Sequence, residues 1–506
     1  MDELADLAAE VRAAREVDVD AFAGRVEREA DRLKAELAVG TFDNPDASVG
    51  LEHEFYAVDA RDRLRRVPVP LLELVGFEKE LGRHNAEMAG RPQPFGPHGL
   101  AALRHEMQAS VRSARDAASR AENVRLVADG FWTVPPVGET AADYLGAHAE
   151  FDGLDISPNI PPSARYHVMS NTSVYESRCR LETANVTLET PTIAPATLTA
   201  SIQPHYQVPV AAALPTYFNY ALRAAGPLLA LAANSPLFPP SLYDADATVE
   251  SVLADGHREN RVELYEAVMN DPDRPAKVRF PRDLDGVEAA VDRVAADPPI
   301  APELLDDGGD RFDDAFAHLR HKHGSYWRWV RPVFDGATPA AANARIEFRP
   351  LPGQPTVPDA AALVATVAGL LRGLVATDHP VATLSWERAR DNFYAAAREG
   401  LDADLAWVTA DGTETTDTDA LYADLFAVAA EGLDAAGVDG ADRHLDRLRA
   451  RIEARRSPAG WKRDRLRAHA ADGAPLPRAV TAAARDYLDA QRGTLLEGSF
   501  ADWLAP

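Results

Sequence analysis

The chain has 506 residues, 46% of them hydrophobic, enough to bury a large core in one large domain or two to three smaller ones. Its 79 acidic against 53 basic residues leave a formal charge of −26, which argues against nucleic acid as a partner; the carboxylates are spread along the chain, as expected of a halophilic protein in a salt-rich cytoplasm. The single cysteine, Cys179, excludes an internal disulfide framework and any multi-cysteine metal centre, and gives little support to a cysteine nucleophile.

Residues 1–40 read as helix, because Phe22, Val26, Ala30, Leu33 and Leu37 recur at three- and four-residue spacing. The start, Met1-Asp2-Glu3, is acidic, and no run of 18 apolar residues occurs, so a cytoplasmic protein with no membrane partner is expected. A strand follows over 49–58, then a polar turn over 59–62, a further short strand, and helices over 98–129. Residues 165–210, rich in Thr, Val, Ile and Tyr, predict strands joined by a loop, and Pro204 inside one of them predicts an edge or a bulge. A helical apolar pattern covers 211–233, surface helices and loops 281–315, and a strand pair 326–334 and 343–349. Beyond Thr356 helices are expected over 359–377, 386–400, 420–433, 442–455 and 477–493. Strands and helices alternate without a parallel βαβ cadence, which predicts an α+β fold with a mixed or antiparallel sheet. The expected division is a helical extension over 1–45, a catalytic domain over 46–400 and a helical region over 401–506.

Three of these strands set polar residues on one face at a spacing of two. They carry Glu52 and Glu54; Gln203, His205 and Gln207; and Arg345, Glu347 and Arg349. One such strand is ordinarily a half-exposed strand with a solvated side. Three together gather carboxylates, imidazole and amide oxygen, the hard ligands that Mg2+ or Mn2+ takes, with arginines suited to a transferred phosphoryl group. No GxxxxGK[ST] loop, GxGxxG turn or HExxH helix is found. His318, His321 and His323, beside Arg320 and Lys322, read as a basic surface patch.

The motifs taken together resemble the glutamate–cysteine ligase superfamily, in its carboxylate–amine ligase branch. The residues that carry the likeness are Gly50-Leu51-Glu52-His53-Glu54-Phe55, His84-Asn85-Ala86-Glu87-Met88, Thr199-Ala200-Ser201-Ile202-Gln203-Pro204-His205, Ala233-Asn234-Ser235-Pro236, Val330-Arg331-Pro332 with Ile346-Glu347-Phe348-Arg349, and Asp391-Asn392-Phe393 through Gly400-Leu401. The resemblance implies a glutamine-synthetase-like catalytic fold with a curved antiparallel sheet, to which the first 40 residues and much of 401–506 are additions. It further implies that Glu52, Glu54, Glu87, His205 and Glu347 hold two or three divalent ions, Mg2+ or Mn2+, with Glu80 a weaker ligand. Arg349 and Gln203 would meet ATP, and Arg349, Glu54 and Glu347 would be catalytic. Arg165 and Arg331 would anchor substrate carboxylates, with Tyr265 and Arg261 less firmly assigned. The implied activity is ATP-dependent glutamate–cysteine ligation through a γ-glutamyl phosphate, acting on glutamate or a similar acid and an amine such as cysteine. The alternatives are a ligase for another amino acid or amine, or a non-catalytic regulator that binds nucleotide or amino acid.

Overall fold

The protein is described from a computed structural model, which covers residues 2–172, 179–271, 273–306 and 308–504. Its centre is an eight-stranded sheet: β1 (Ser48–Val58), β2 (Glu78–Lys79), β3 (Asn85–Ala89), β4 (Gln93–Pro94), β5 (Arg125–Val127), β6 (Ile202–Val208), β7 (Val330–Asp335) and β8 (Asn343–Phe348). The order is β7-β8-β6-β1-β3-β2, with β4 and β5 also pairing with β1, and every pairing is antiparallel. The expected α+β architecture is therefore the observed one.

Period-two alternation builds the sheet. On β1 the apolar side, Leu51, His53 and Phe55, is buried, and the His53 imidazole is pushed down to about 3 by burial alone. The helices Leu214–Ala232 and Val357–Ala376 pack against β7, β8 and β6, and their side chains join one continuous core with the sheet. Val357–Ala376 is long and apolar enough to cross a membrane by length and composition, but Asp359 and Arg372 interrupt it and most of it is buried in the core. Helix Val19–Ala38 buries the five residues whose spacing announced it.

Several elements depart from expectation. Residues 164–170 form a short helix, Ala164–Ser170, so Arg165 sits on a helix and not in a strand. The helix Gly99–Glu122 gives way to β5 within the span expected to be all helix. Pro204 lies in a central strand, between β1 and β8, rather than at an edge. On the β8 side, Ile202 N–H donates to Leu351 O and the pairing resumes at His205–Glu347, so the ladder is interrupted at Pro204 and held on both sides of it. Helix Pro458–Ala471 was not foreseen, since charges surround it and give no apolar stripe.

Helices Val357–Ala376 and Thr418–Ala435 approach with their backbones almost touching. A Cβ on Gly432 would lie 1.8 Å from Gly369 O, and one on Gly373 would lie 2.2 Å from Val428 O. Gly432→Ala raises intrinsic helix propensity by about 1 kcal/mol, yet is expected to destabilise the fold by about 2–3 kcal/mol by forcing the helices apart. Calorimetry checks this, and an unchanged or raised Tm would refute the close contact.

Candidate active site

The register of the sheet decides which polar side chains meet. Glu52 on β1 stands opposite Gln203 on β6, and Glu54 stands opposite Glu87 on β3. One strand further, His205 on β6 stands opposite Glu347 on β8, which in turn faces Arg331 on β7. Two trios result, Glu52 with His205 and Glu347, and Glu54 with Glu80 and Glu87, each with donor atoms within 4.8 Å of one another.

The trios differ in electrostatic balance. Glu54 accepts from Ser201 N–H and Oγ–H, both at 2.8 Å, and from Gln203 Nε2 at 3.1 Å. Burial, then repulsion from Glu80, nevertheless raises its carboxyl to about 7. Burial and the neighbouring Glu80, Glu52 and Glu54 push Glu87 well above the usual carboxylate range, and burial raises Glu80. Glu347 goes the other way: burial is outweighed by the guanidinium groups of Arg331 and Arg349, which hold it well below that range. Arg331 Nε donates to Glu347 at 2.8 Å, and Arg349 Nη1 donates to both Glu347 and Gln203 Oε1. Burial is likewise overcome at Glu52, which lies 3.4 Å from His205 Nε2 and is lowered.

Among the described residues no basic side chain bonds this crowded, half-buried carboxylate trio, so it needs protons or cations. Its hard oxygen donors, with the imidazole of the second trio, fit a divalent ion such as Mg2+ or Mn2+.

Two chambers meet here. The first, about 450 Å³, is lined by Glu54, Glu80, Glu87, Arg349 and the aromatic wall of Tyr166, Tyr265, Trp327 and Trp329. The second, about 490 Å³, is lined by His205, Glu347, Arg345 and apolar side chains. Glu52, Gly324 and Arg331 border both.

The structure brings Glu52, Glu54, Glu87, Gln203, His205, Glu347 and Arg349 together, and adds Glu80 just past the end of β2. Arg165 reaches the first chamber with its guanidinium on His321, 3.0 Å from both Nδ1 and the carbonyl oxygen. Arg331 is engaged by Glu347 and by His323 O at 3.0 Å. Tyr265 packs its ring near Trp327 and Trp329, with burial pushing its hydroxyl up to about 12. Arg261 is spent on Pro350 O, Arg349 O and the buried Glu259. Gln207 belongs to neither trio and ties down Asn44, Asp46 and Ser48.

The three histidines do not form a surface patch. His318 is buried against Glu29, His321 bonds Arg165 and Ala301 O, and the half-buried His323 bonds Pro332 O. Cys179 is buried, its thiol pushed up to about 12 by burial, which makes it inert. Sequence reasoning named Tyr265 but passed over Tyr166, Trp327 and Trp329 of the aromatic wall and the role of Ser201. Ser201 stands inside a quoted motif and could have been found there; Trp327 and Trp329 show a spacing of two just before β7, whereas Tyr166 lies on the short helix Ala164–Ser170, where no such spacing marks it.

The model of glutamate-cysteine ligase family 2 matches residues 48–483. The chain belongs to that family. Membership makes it a ligase of the carboxylate–amine class. Among solved structures, it is similar to a glutamate–cysteine ligase from Francisella tularensis in complex with AMP, at 13% identity and a TM-score of 0.52, over 92% of each chain. It is also similar to a bifunctional glutathione synthetase from Pasteurella multocida, at 13% identity and a TM-score of 0.50, over 92% of this chain and 55% of that one. These likenesses are of fold. No curated protein matches the chain significantly.

The carboxyl of Glu54 titrates near 7 in the fold against about 4.3 unfolded. The native state therefore binds the extra proton, and this contribution to stability, present below about pH 4.3, is lost as pH rises through 7. In a chelator buffer, Glu87→Gln relieves the repulsion on this family member's trio and should raise Tm at pH 8 by roughly 1–2 °C, with a smaller gain at pH 5. Equal shifts at both pH values, or a loss at pH 8, would count against the repulsion.

Proposed function

We propose that the protein is an ATP- and Mg2+- or Mn2+-dependent ligase that joins glutamate, or a similar acid, to cysteine or a related amine. The observation that carries this is the pair of trios linked through Arg349 and Gln203, which join Glu347 to Glu54, where two chambers meet, in a chain of a ligase family. The AMP held by the Francisella tularensis ligase supports nucleotide as the second substrate.

The second chamber suits the nucleotide, with apolar walls for a base and Arg345 and His205 towards the phosphates. The first suits the acid and the amine, with Arg165, Arg331 and Tyr265 as anchors. Divalent ions held by Glu52, Glu54, Glu87, His205 and Glu347, with Glu80, would neutralise phosphate charge. Arg349, oriented by Glu347 and Gln203, stabilises the charge that develops on the transferring phosphoryl group. A carboxylate oxygen of the acid attacks the γ-phosphorus; the bond to ADP breaks and ADP leaves with the electron pair. The amine nitrogen then attacks the acyl carbon of the γ-glutamyl phosphate, inorganic phosphate leaves, and the amine gives up its proton. The aromatic wall excludes water, which would otherwise hydrolyse that intermediate.

The test is ADP release with ATP, Mg2+ and glutamate against a panel of amines, cysteine first, in high potassium chloride. Glu347→Gln and Arg349→Ala should each lower acid- and amine-dependent ADP release by about a thousandfold or more, with circular dichroism unchanged. Turnover near the wild-type rate in either variant refutes the assignment.

A further inference from the structure

The family match begins at residue 48, yet the lining of the second chamber includes a residue that precedes it. Its wall includes Leu33, on the helix Val19–Ala38. That helix is fastened to the rest of the chamber. Glu29 accepts from Leu319 N–H at 2.8 Å and bonds His318 Nδ1 at 2.6 Å. Phe22 sets its ring 6.0 and 6.1 Å from those of His318 and His321. Lys34 pairs with Asp292 at 3.0 Å, on the helix Val287–Ala296 that supplies Val291 and Val294 to the same wall. Leu33 shares that lining with the apolar side chains of Val291, Val294, Phe316 and Leu319, and all five belong to one buried core.

An apolar pocket discriminates by volume: one methylene is worth about 10- to 200-fold in selectivity. We propose that Leu33 is a specificity-determining residue, which limits the size of the base that the second chamber admits. This rests on the reading of that chamber as the nucleotide site. The region before residue 48 is then a wall of the active site supplied by this chain's own N-terminal helix.

The experiment compares kcat/KM for ATP and for ATP carrying a benzyl group on N6, with the full-length protein. Leu33→Ala should raise the ratio of the bulky to the natural nucleotide at least tenfold over wild type, and Leu33→Trp should raise the KM for ATP at least tenfold. Both nucleotides are read on the same folded fraction, so a loss of stability cancels from the ratio. Leu33→Val repeats the test with a smaller loss of core and should shift the ratio in the same direction. A ratio unchanged in the Ala and Val variants, with an unchanged KM in the Trp variant, overturns the inference while leaving the ligase reading intact. A wild-type protein that releases no ADP with any acid and amine overturns both.

Discussion

Carboxylates forced together on one face of a sheet are what the rest of this molecule must accommodate. Glu54, Glu80 and Glu87 stand within 4.8 Å of one another, and burial strengthens their repulsion. At such a distance two like charges cost on the order of 1 kcal/mol in water and about 4 kcal/mol in a partly buried site. A flexible carrier would relax and spread them. The trio exists because each member hangs from a strand whose register is set by neighbours on both sides, or from the turn beside one: β1 is paired by β6 and β3 at the positions of Glu52 and Glu54.

The stiffness extends behind the sheet into the C-terminal helices. Lys462, buried in helix Pro458–Ala471, donates to Asp129 and to Asn234 O, and Tyr487 and Gln491 donate to Ala128 O. Asn234 donates to Gly353 O and, through its backbone N–H, to Glu259, which also holds Ser235 and Arg261. Arg261 ends on the carbonyls of Arg349 and Pro350. A chain of buried polar contacts therefore runs from residue 462 to the backbone of Arg349. Burial raises Asp129 to about 6 even with Lys462 beside it, so the pair is a poor source of net stability. Its evident product is geometry, since no apolar replacement would fix the Ala-Asn-Ser-Pro turn against Gly353.

Much of this was legible in the sequence, for a definite reason. Alternation of side chains has a period of two, so Glu52 with Glu54 and Arg345 with Glu347 could be put on one face before any coordinates. The five apolar residues of Val19–Ala38 were equally plain. What alternation cannot show is which strands become neighbours: His205 meets Glu347 across 142 positions because β6 and β8 pair. Glu80 was only faintly visible, since a two-residue strand leaves no pattern. His321 looked like surface because Arg320 and Lys322 flank it, whereas a helix turns successive residues to different sides, and His321 faces Arg165. Pro204 misled because the pairs on both sides of it hold a central strand in place despite one lost donor.

The two trios also explain why one strand carries Arg345, Glu347 and Arg349 in alternation. Arg345 Nε donates to His205 Nδ1, while Arg331 and Arg349 bracket Glu347, so the second trio is ringed by guanidinium groups that stay charged at any working pH. The first trio has only neutral donors, Ser201 and Gln203, on Glu54. Across one sheet, then, a trio bracketed by guanidinium groups stands beside a trio made of carboxylates alone. On the proposed reading the γ-phosphoryl group must cross that boundary to reach the acid. On that reading, cations or protons on the first trio would lower the repulsion that the transferring group meets there.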